Sequence, residues 1–113
     1  MKLLSRAEEI ILLTILKLEE DAYGVAIRDH LKKETGTEWS FGSIYMPLNR
    51  LTNKGYVTKR YGDPIPERGG RRKCIYEVTD TGIAALRDLQ RIQESVWSGM
   101  NDLFSSWKIK HGR

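Results

Sequence analysis

Cysteine and histidine are scarce in this sequence of 113 residues: Cys74 is the single cysteine, and His30 and His111 are the two histidines. One cysteine cannot form an internal disulfide, and these three residues do not have the spacing of a structural zinc site. The composition therefore predicts a reduced, intracellular protein of the cytoplasm that needs no metal or other cofactor.

Long hydrophobic runs are missing too. The apolar run Ile10–Leu16 is seven residues long and follows Glu8 and Glu9, with no small-residue cleavage site after it. A membrane-spanning helix needs about 20 apolar residues, and a secretory signal peptide begins with positive charge. We therefore expect neither a membrane span nor a signal peptide.

Catalytic residue sets are not apparent. There is no Ser-His-Asp or Cys-His arrangement, and Cys74 lies in a strand-like run among bulky residues, where cysteine is usually a small buried filler. Asp29 and His30 are adjacent on a predicted helix, which indicates a surface contact rather than a catalytic pair. The sequence argues against an enzyme.

What the chain does contain is enough apolar surface for one domain and an uneven distribution of charge. Hydrophobic residues make up 40% of the sequence and the net charge is +4, a mild bias toward anionic partners. Residues 59–73 carry six Lys and Arg against two acids, whereas residues 1–38 are rich in Asp and Glu. Such a basic stretch is either a solvated face or a nucleic-acid contact.

Hydrophobic periodicity predicts three helices, a β-hairpin and a longer fourth helix. The predicted elements are, in chain order, helices at roughly 5–19 and 22–35, a third helix within 40–54, strands 56–61 and 74–78 around an eleven-residue loop, and a helix from about 80 toward 108. This order is typical of a winged helix-turn-helix over residues 1–79, mainly α with a small β-hairpin, followed by a C-terminal dimerisation helix over 80–113.

Polar residues mark the predicted helix starts. Ser5 and Glu8 fit a capping box for the first helix, and Asp21 is a candidate cap for the second. Because Pro47 is unfavourable in a helix interior, the third helix is predicted to begin regularly near Ser43. The Ser43 hydroxyl would then cap that helix or contact a phosphate.

The third predicted helix has an apolar and a polar side. At 100° per residue Ile44, Leu48 and Leu51 share the core side, while Met46, Asn49 and Arg50 lie opposite, with Tyr45 and Lys54 on the flanks. Asn can read an adenine edge and Arg a guanine edge or a phosphate. The alternative is an ordinary solvent-exposed face.

The basic loop carries the sharpest signal. Gly69-Gly70 allows close approach of the backbone, and Arg71, Arg72 and Lys73 follow directly. Guanidinium groups suit phosphates and narrow minor grooves. A flexible hairpin tip without a partner is the alternative.

These residues resemble the PadR-type transcriptional regulators over roughly residues 8–86. The segment Glu67–Lys73, followed by Ile75–Thr79 and Gly82, is similar to the wing signature of that family. Ala22–Gly24 in the second helix and Gly42–Tyr45 in the third also resemble the family. The resemblance implies a homodimeric winged-helix DNA-binding protein, usually a repressor, with Tyr45 and the wing near DNA. The short chain is similar to compact members that often respond to small hydrophobic or phenolic ligands.

Two departures from the family accompany this resemblance. Met46 stands between Tyr45 and Pro47, where members often have proline directly after the tyrosine. Trp97 comes one helical turn later than the tryptophan of multidrug-binding members, and Gln93 is nearer that place. Double-stranded DNA is the predicted partner, and the predicted contacts are Tyr23, Ser43, Tyr45, Met46, Asn49, Arg50, Lys54, Arg68, Gly70, Arg71, Arg72 and Lys73.

The C-terminal helix carries two apolar stripes, which predict a homodimer interface. The stripes are Leu86, Leu89, Ile92, Val96 and Leu103, and Trp97, Met100, Phe104 and Trp107. Alternatively, both stripes fold onto the chain's own core. Gln93, Trp97 and Met100 are the candidates for binding a small aromatic effector.

The sequence thus favours a sequence-specific DNA-binding regulator, a homodimeric repressor relieved by a small hydrophobic or aromatic effector. The alternative is a winged-helix module that docks onto another protein through the wing and the C-terminal helix, without specific DNA binding.

Overall fold

The computed structural model of the protein describes residues 3–65, 69 and 71–110. Its elements are α1 (Arg6–Leu18), a short 3-10 helix (Glu19–Asp21), α2 (Gly24–Thr35), α3 (Phe41–Asn53), β1 (Val57–Ile65), β2 (Arg71–Val78), α4 (Asp80–Trp97) and α5 (Met100–Lys110). β1 and β2 form an antiparallel two-stranded sheet. The prediction of a mainly helical winged fold with one β-hairpin and a long C-terminal helix is confirmed.

Helix α1 lies at the centre of the core. It begins with the predicted capping box, in which the Ser5 Oγ accepts from the Glu8 backbone N–H and the Glu8 carboxylate accepts from the Ser5 N–H. The buried cluster around it combines residues of the first three helices and the hairpin: Ile11, Leu12, Ile15, Ala22, Ile27, Leu31, Ile44, Leu48, Leu51, Val57 and Tyr76. Each fully buried Leu or Ile contributes about 1.5–3 kcal/mol relative to exposure.

The predicted cap of α2 is wrong. Asp21 lies in the 3-10 helix, and α2 starts after Tyr23, which has extended backbone and no side-chain capping bond among the described residues. The reason is a long-range contact: the Ala22 carbonyl accepts from the Tyr76 N–H at 2.8 Å, and Tyr23 forms an isolated bridge with Ile75. Pairing with β2 keeps Tyr23 extended and holds Ala22 outside the helix, so the helix begins later.

The predicted start of α3 is wrong as well. Ser40 is its N-cap, with its Oγ accepting from the Ser43 N–H at 3.1 Å, so Ser43 lies within the first turn. Pro47 is consequently inside the helix rather than at its first turn. Its ring is buried beside Ile44 and Leu48 on the core side of the helix; the apolar contact offsets part of the lost backbone bond.

The loop of the hairpin is shorter than the eleven residues predicted. β1 and β2 remain paired as far as Ile65 and Arg71, leaving residues 66–70 between them. The register shifts between Tyr61 and Pro64, where two residues oppose one. This bulge absorbs the extra residue, so pairing continues past a segment that looks like a loop in the sequence.

The C-terminal region is two helices, and the continuous helix predicted toward residue 108 is interrupted. α4 ends at Trp97, Ser98 has extended backbone, and Gly99 has a φ of 77°. Glycine adopts this left-handed conformation without a steric penalty, so it redirects the chain before α5. The first half of α4 packs on α1 and β2, and the molecule is elongated, 61 × 30 × 21 Å.

Gly82 shows how tightly α4 is seated on the hairpin. A Cβ at this position would lie 2.4 Å from the Tyr56 carbonyl oxygen and 2.8 Å from Val78 Cγ1. Because backbone must move to admit it, we expect Gly82→Ala to lower the free energy of unfolding by about 1–3 kcal/mol. Gly42→Ala is the matched control, since that helical Cβ has space. Equal urea midpoints for the two variants would contradict the expectation.

Candidate nucleic-acid interface

The outer face of α3 is polar and exposed, as predicted. Ser43, Met46, Asn49 and Arg50 are exposed, whereas the opposite side of the helix is buried in the core. The sequence of α3 contains no Asp or Glu. A helix with amide and guanidinium groups on its free side, and no acids, has the donors and acceptors that base edges and phosphates require.

An aromatic and cationic stack lies along one flank of α3. The rings of Phe41 and Tyr45 stack with their centroids 6.1 Å apart, and the Arg28 guanidinium of α2 lies 5.0 Å above the Phe41 ring. Sequence patterns did not indicate Arg28 or Phe41. Phe41 precedes the regular helix start predicted near Ser43, and the proximity of Arg28 to it depends on the packing of α2 against α3.

The Tyr45 side chain packs against the start of α2, at Gly24, where there is no side chain in its way. A Cβ on Gly24 would lie 2.2 Å from the Tyr45 hydroxyl oxygen. Glycine therefore lets the tyrosine approach the backbone of α2. The position of the Tyr45 ring is thus set by a neighbouring helix as well as by α3.

The base of the wing also meets the start of α2. The Lys73 ammonium lies 4.3 Å from the centroid of the Tyr23 ring, a cation–π contact, and Tyr23 bridges to Ile75 of the same strand. The structure therefore brings Tyr23, Tyr45 and Lys73 together around the N-terminus of α2. Lys73 is partly exposed.

The remaining wing residues are only partly described. Arg72 is exposed, and since alternate residues of a strand face opposite sides, it points away from the side of Lys73. Arg71 belongs to β2, but its side chain lies outside the described residues, as do Arg68 and Gly70. Their contacts with DNA stay predictions.

Lys54, whose contact with DNA stays a prediction, contacts a buried carboxylate within the chain. Its Nζ lies 2.7 Å from Glu8 Oε2, and Arg50 Nε lies 3.8 Å from the same oxygen. Glu8 is only 3% exposed, so this carboxylate joins the start of α1 to the end of α3. Arg50 remains about half exposed and can still turn toward a base or a phosphate.

The Glu8 carboxyl is ionised because its partners outweigh its burial. Burial alone raises the pKa of Glu8, but hydrogen bonds from Lys54 and from Ser5 lower it, and the net pKa lies below the ordinary value. A carboxyl with a depressed folded pKa stabilises the fold above its unfolded pKa, about 4.3. That stabilisation is lost as the pH falls through the folded pKa.

We therefore expect Glu8→Gln to lower the free energy of unfolding at pH 7 by about 1–3 kcal/mol and to make stability less sensitive to acid below about pH 4.5. Urea unfolding at several pH values measures both effects. Glu34→Gln is the control, because Glu34 is an exposed carboxylate paired with Lys17 and such pairs contribute little. A variant with the wild-type pH profile would contradict this role of Glu8.

The apolar stripes of the C-terminal region divide into a covered and an open part. Leu89 is 9% exposed within its own chain, and Leu86 and Ile92 are partly buried, so these three are already covered in part by the single chain and their place in a dimer interface stays a prediction. Leu86 packs against the core cluster, and Leu89 and Ile92 line a groove together with Leu4 and Tyr56. Met100 is partly buried, and the exposed members are Val96, Trp97, Leu103, Phe104 and Trp107.

The three effector candidates are not grouped at one place. The Gln93 Nε2 donates to Glu9 Oε2 at 2.8 Å and lines a groove with Leu13 and Leu16 of α1. Met100 lines a different, apolar hollow on α5, while the Trp97 ring contacts Phe104 edge-on at 6.2 Å. The hydrogen bond to Glu9 gives Gln93 a partner within the chain.

In the part of the chain that the structure describes, no group of three His, Cys, Asp or Glu side chains could hold a metal ion. No helix of that part is long and apolar enough to cross a membrane. His30 contacts Glu34 at 3.3 Å rather than Asp29.

Comparisons with known proteins point to one group of regulators. A family model described as "Transcriptional regulator PadR-like family" matches residues 12–88. Comparison with curated protein sequences gives no significant match. Among solved structures, a PadR-like transcriptional regulator from Bacillus cereus is 28% identical with a TM-score of 0.71, over 86% of this chain and 89% of that chain.

Two further solved structures share the fold at lower identity. A transcriptional regulator from Clostridium thermocellum is 22% identical, with a TM-score of 0.67 over 85% of this chain and 87% of that chain. A PadR family transcriptional regulator from Eggerthella lenta is 23% identical, with a TM-score of 0.65 over 84% and 80%.

Proposed function

The chain belongs to the PadR-like family of transcriptional regulators, and from this premise we propose that it binds specific duplex DNA as a homodimer and represses transcription in the cytoplasm. Members of this family are regulators rather than enzymes. The observation that carries the proposal is the surface formed by α3, the start of α2 and the base of the wing.

This surface has the chemistry that DNA recognition needs. Arg28, Arg50 and Lys73 supply positive charge around α3, and α3 itself has no acid. Cations bind phosphates and position the protein, whereas side chains on a helix in the major groove read base edges. We propose that the wing supplies affinity and the exposed face of α3 supplies specificity.

Selection of bound duplexes from a random pool, followed by a salt titration, tests the proposal. We expect a preferred sequence with two half-sites about one helical turn apart, as a two-fold dimer requires. With five or six phosphate contacts in each protomer, log affinity should fall against log salt with a slope of about −5 for each bound protomer. A chain that enriches no sequence would instead favour the protein-interaction module.

Asn49→Ala is expected to change sequence preference and leave folding intact, because Asn49 is exposed on the outer face of α3. Loss of a bidentate contact costs about 1–3 kcal/mol at the base that is read. Affinity should fall for the selected duplex and hardly change for duplexes altered at that base. Asn101→Ala, an exposed asparagine on α5, is the matched control and should bind as the wild type does.

Repression is tested separately from binding. A reporter whose promoter overlaps the selected sequence should lose transcription when the chain is expressed, because a bound dimer blocks access to the promoter. Increased transcription from the same promoter would show an activator. The Asn49→Ala variant should leave this reporter active.

A small hydrophobic or aromatic effector is the finer part of the proposal. Its support is the exposed Trp97, whose ring contacts Phe104 edge-on. Flat aromatic rings stack on such side chains. Titration with phenolic and planar cationic compounds should change tryptophan fluorescence and weaken DNA binding together; unchanged fluorescence across the panel would remove the effector from the proposal.

A further inference from the structure

Gly42 lies on the exposed face of α3 at a position where the fold does not require glycine. Its φ is not positive, and the nearest atom that an added Cβ would meet within the described part of the chain is Ser40 Oγ at 4.0 Å. Gly24 and Gly82, by contrast, are each explained by a close internal contact. Glycine is unfavourable in a helix and alanine is the most favourable residue, so the missing side chain at Gly42 indicates close approach of something outside the chain.

Met46 lies one turn after Gly42 on the same side of α3. Residues four apart on a helix are neighbours on its surface, and Met46 is 65% exposed. Around it are the exposed polar residues Ser43, Asn49 and Arg50. An apolar side chain thus occupies the middle of the face that the proposed function places in the major groove, next to a position without a side chain.

We propose that Met46 contacts the 5-methyl group of a thymine in the major groove and is a specificity-determining residue, with Gly42 providing the room for that approach. This inference rests on the proposed function. Thymine is the one base of unmodified DNA that presents a methyl group in the major groove. The other bases present polar atoms there, which an apolar side chain would leave without partners.

Charge favours DNA as the occupant of this face over an apolar protein surface. α3 carries no acid, and the cations Arg28, Arg50 and Lys73 lie on it or around it. A thymine-containing duplex fits this face, because its phosphates neutralise the cations and its methyl group is a small apolar group between polar ones. An apolar protein patch would leave the flanking polar side chains buried without partners.

The test removes the methyl group alone. Each thymine of the selected duplex is replaced in turn by deoxyuridine, and affinity is measured by fluorescence anisotropy. We expect about a fourfold loss for the wild type at one or two positions of each half-site, the value of one buried methyl group. Met46→Ala should bind the thymine and uridine duplexes equally at those positions, whereas Asn49→Ala should retain the fourfold difference.

Gly42→Ala provides a second readout that separates binding from folding. We expect it to keep or raise the midpoint of thermal unfolding and yet to weaken binding of the selected duplex about tenfold. Unchanged affinity of this variant for the selected duplex would overturn the proposed close approach of DNA to α3 at Gly42.

The inference and the proposed function fail in different ways. Specific binding without any uridine-sensitive position, or a Met46→Ala variant that still distinguishes the two duplexes, would overturn the thymine contact alone. A chain that selects no sequence would overturn the proposed function, and the thymine contact with it.

Discussion

Val96→Glu combined with Leu103→Glu is expected to convert the proposed dimer into monomers and to lower operator affinity by about 10²–10⁴-fold. Val96 is 69% and Leu103 59% exposed in the single chain. They lie on the part of the molecule that projects from the domain, so a partner is needed to cover them. Glutamates at these positions cannot be buried without a large desolvation cost. Since the two winged-helix domains would then bind separately, the gain in affinity from simultaneous binding of two half-sites is lost.

The choice of residues depends on which part of the C-terminal region is open. Leu89 is unsuitable, because it is buried in its own chain and a charge there would unfold the monomer. Ser95→Glu with Ser105→Glu is the matched control, adding the same charge at exposed polar positions of the same helices. Sedimentation velocity at micromolar concentration should show monomers for the first pair and dimers for the control. A wild-type monomer at that concentration would contradict the homodimer.

Arg71→Ala combined with Arg72→Ala is expected to weaken binding to every duplex, whatever its sequence. Each lost phosphate contact reduces the slope of log affinity against log salt by about 0.9, so two contacts reduce it by about 1.8 for each protomer. In 0.1 M salt this corresponds to a loss of about 60-fold for each protomer. Circular dichroism should be unchanged, because Arg72 is exposed and its replacement removes no buried contact.

Two comparisons decide whether the wing acts in this way. Lys32→Ala with Lys33→Ala removes two cations from the last turn of α2, at the end of that helix away from Tyr23, and should keep the wild-type slope. The ratio of affinities for operator and unrelated duplex should stay constant in the wing variant. A wing variant with the wild-type salt slope would contradict the division of roles between wing and α3.

Local patterns predicted most of the helical fold. The capping box of Ser5 and Glu8 and the spacing of Ile44, Leu48 and Leu51 are features of neighbouring residues, and both have the predicted role in the structure. The start of α2 could not be predicted in this way. It depends on pairing between Tyr23 and Ile75, which are far apart in sequence, so Asp21 had the better local pattern.

The sequence predicted which residues belong to the candidate site better than it predicted the contacts that they make. Tyr23 and Tyr45 came from the family resemblance, and periodicity placed Asn49 on the outer face of α3. That Lys54 turns to Glu8 depends on the packing of α3 against α1, which no local pattern contains. The interruption of the C-terminal region did have a signal, because Gly99 stands inside an otherwise regular apolar pattern.

Two adjacent carboxylates of α1 have a consequence for the geometry of the operator. Glu8 binds Lys54 at the end of α3, and Glu9 accepts a hydrogen bond from Gln93 of α4. The helix that we propose enters the major groove and the helix that leads to the proposed dimer interface are thus bonded to neighbouring residues of one central helix. These bonds restrict movement of α3 and the wing relative to the C-terminal helices α4 and α5. One inserted base pair between the half-sites moves them about 3.4 Å apart and turns one around the DNA axis by about 35°. With α3 and α4 both bonded to α1, the protein does not adjust to that displacement.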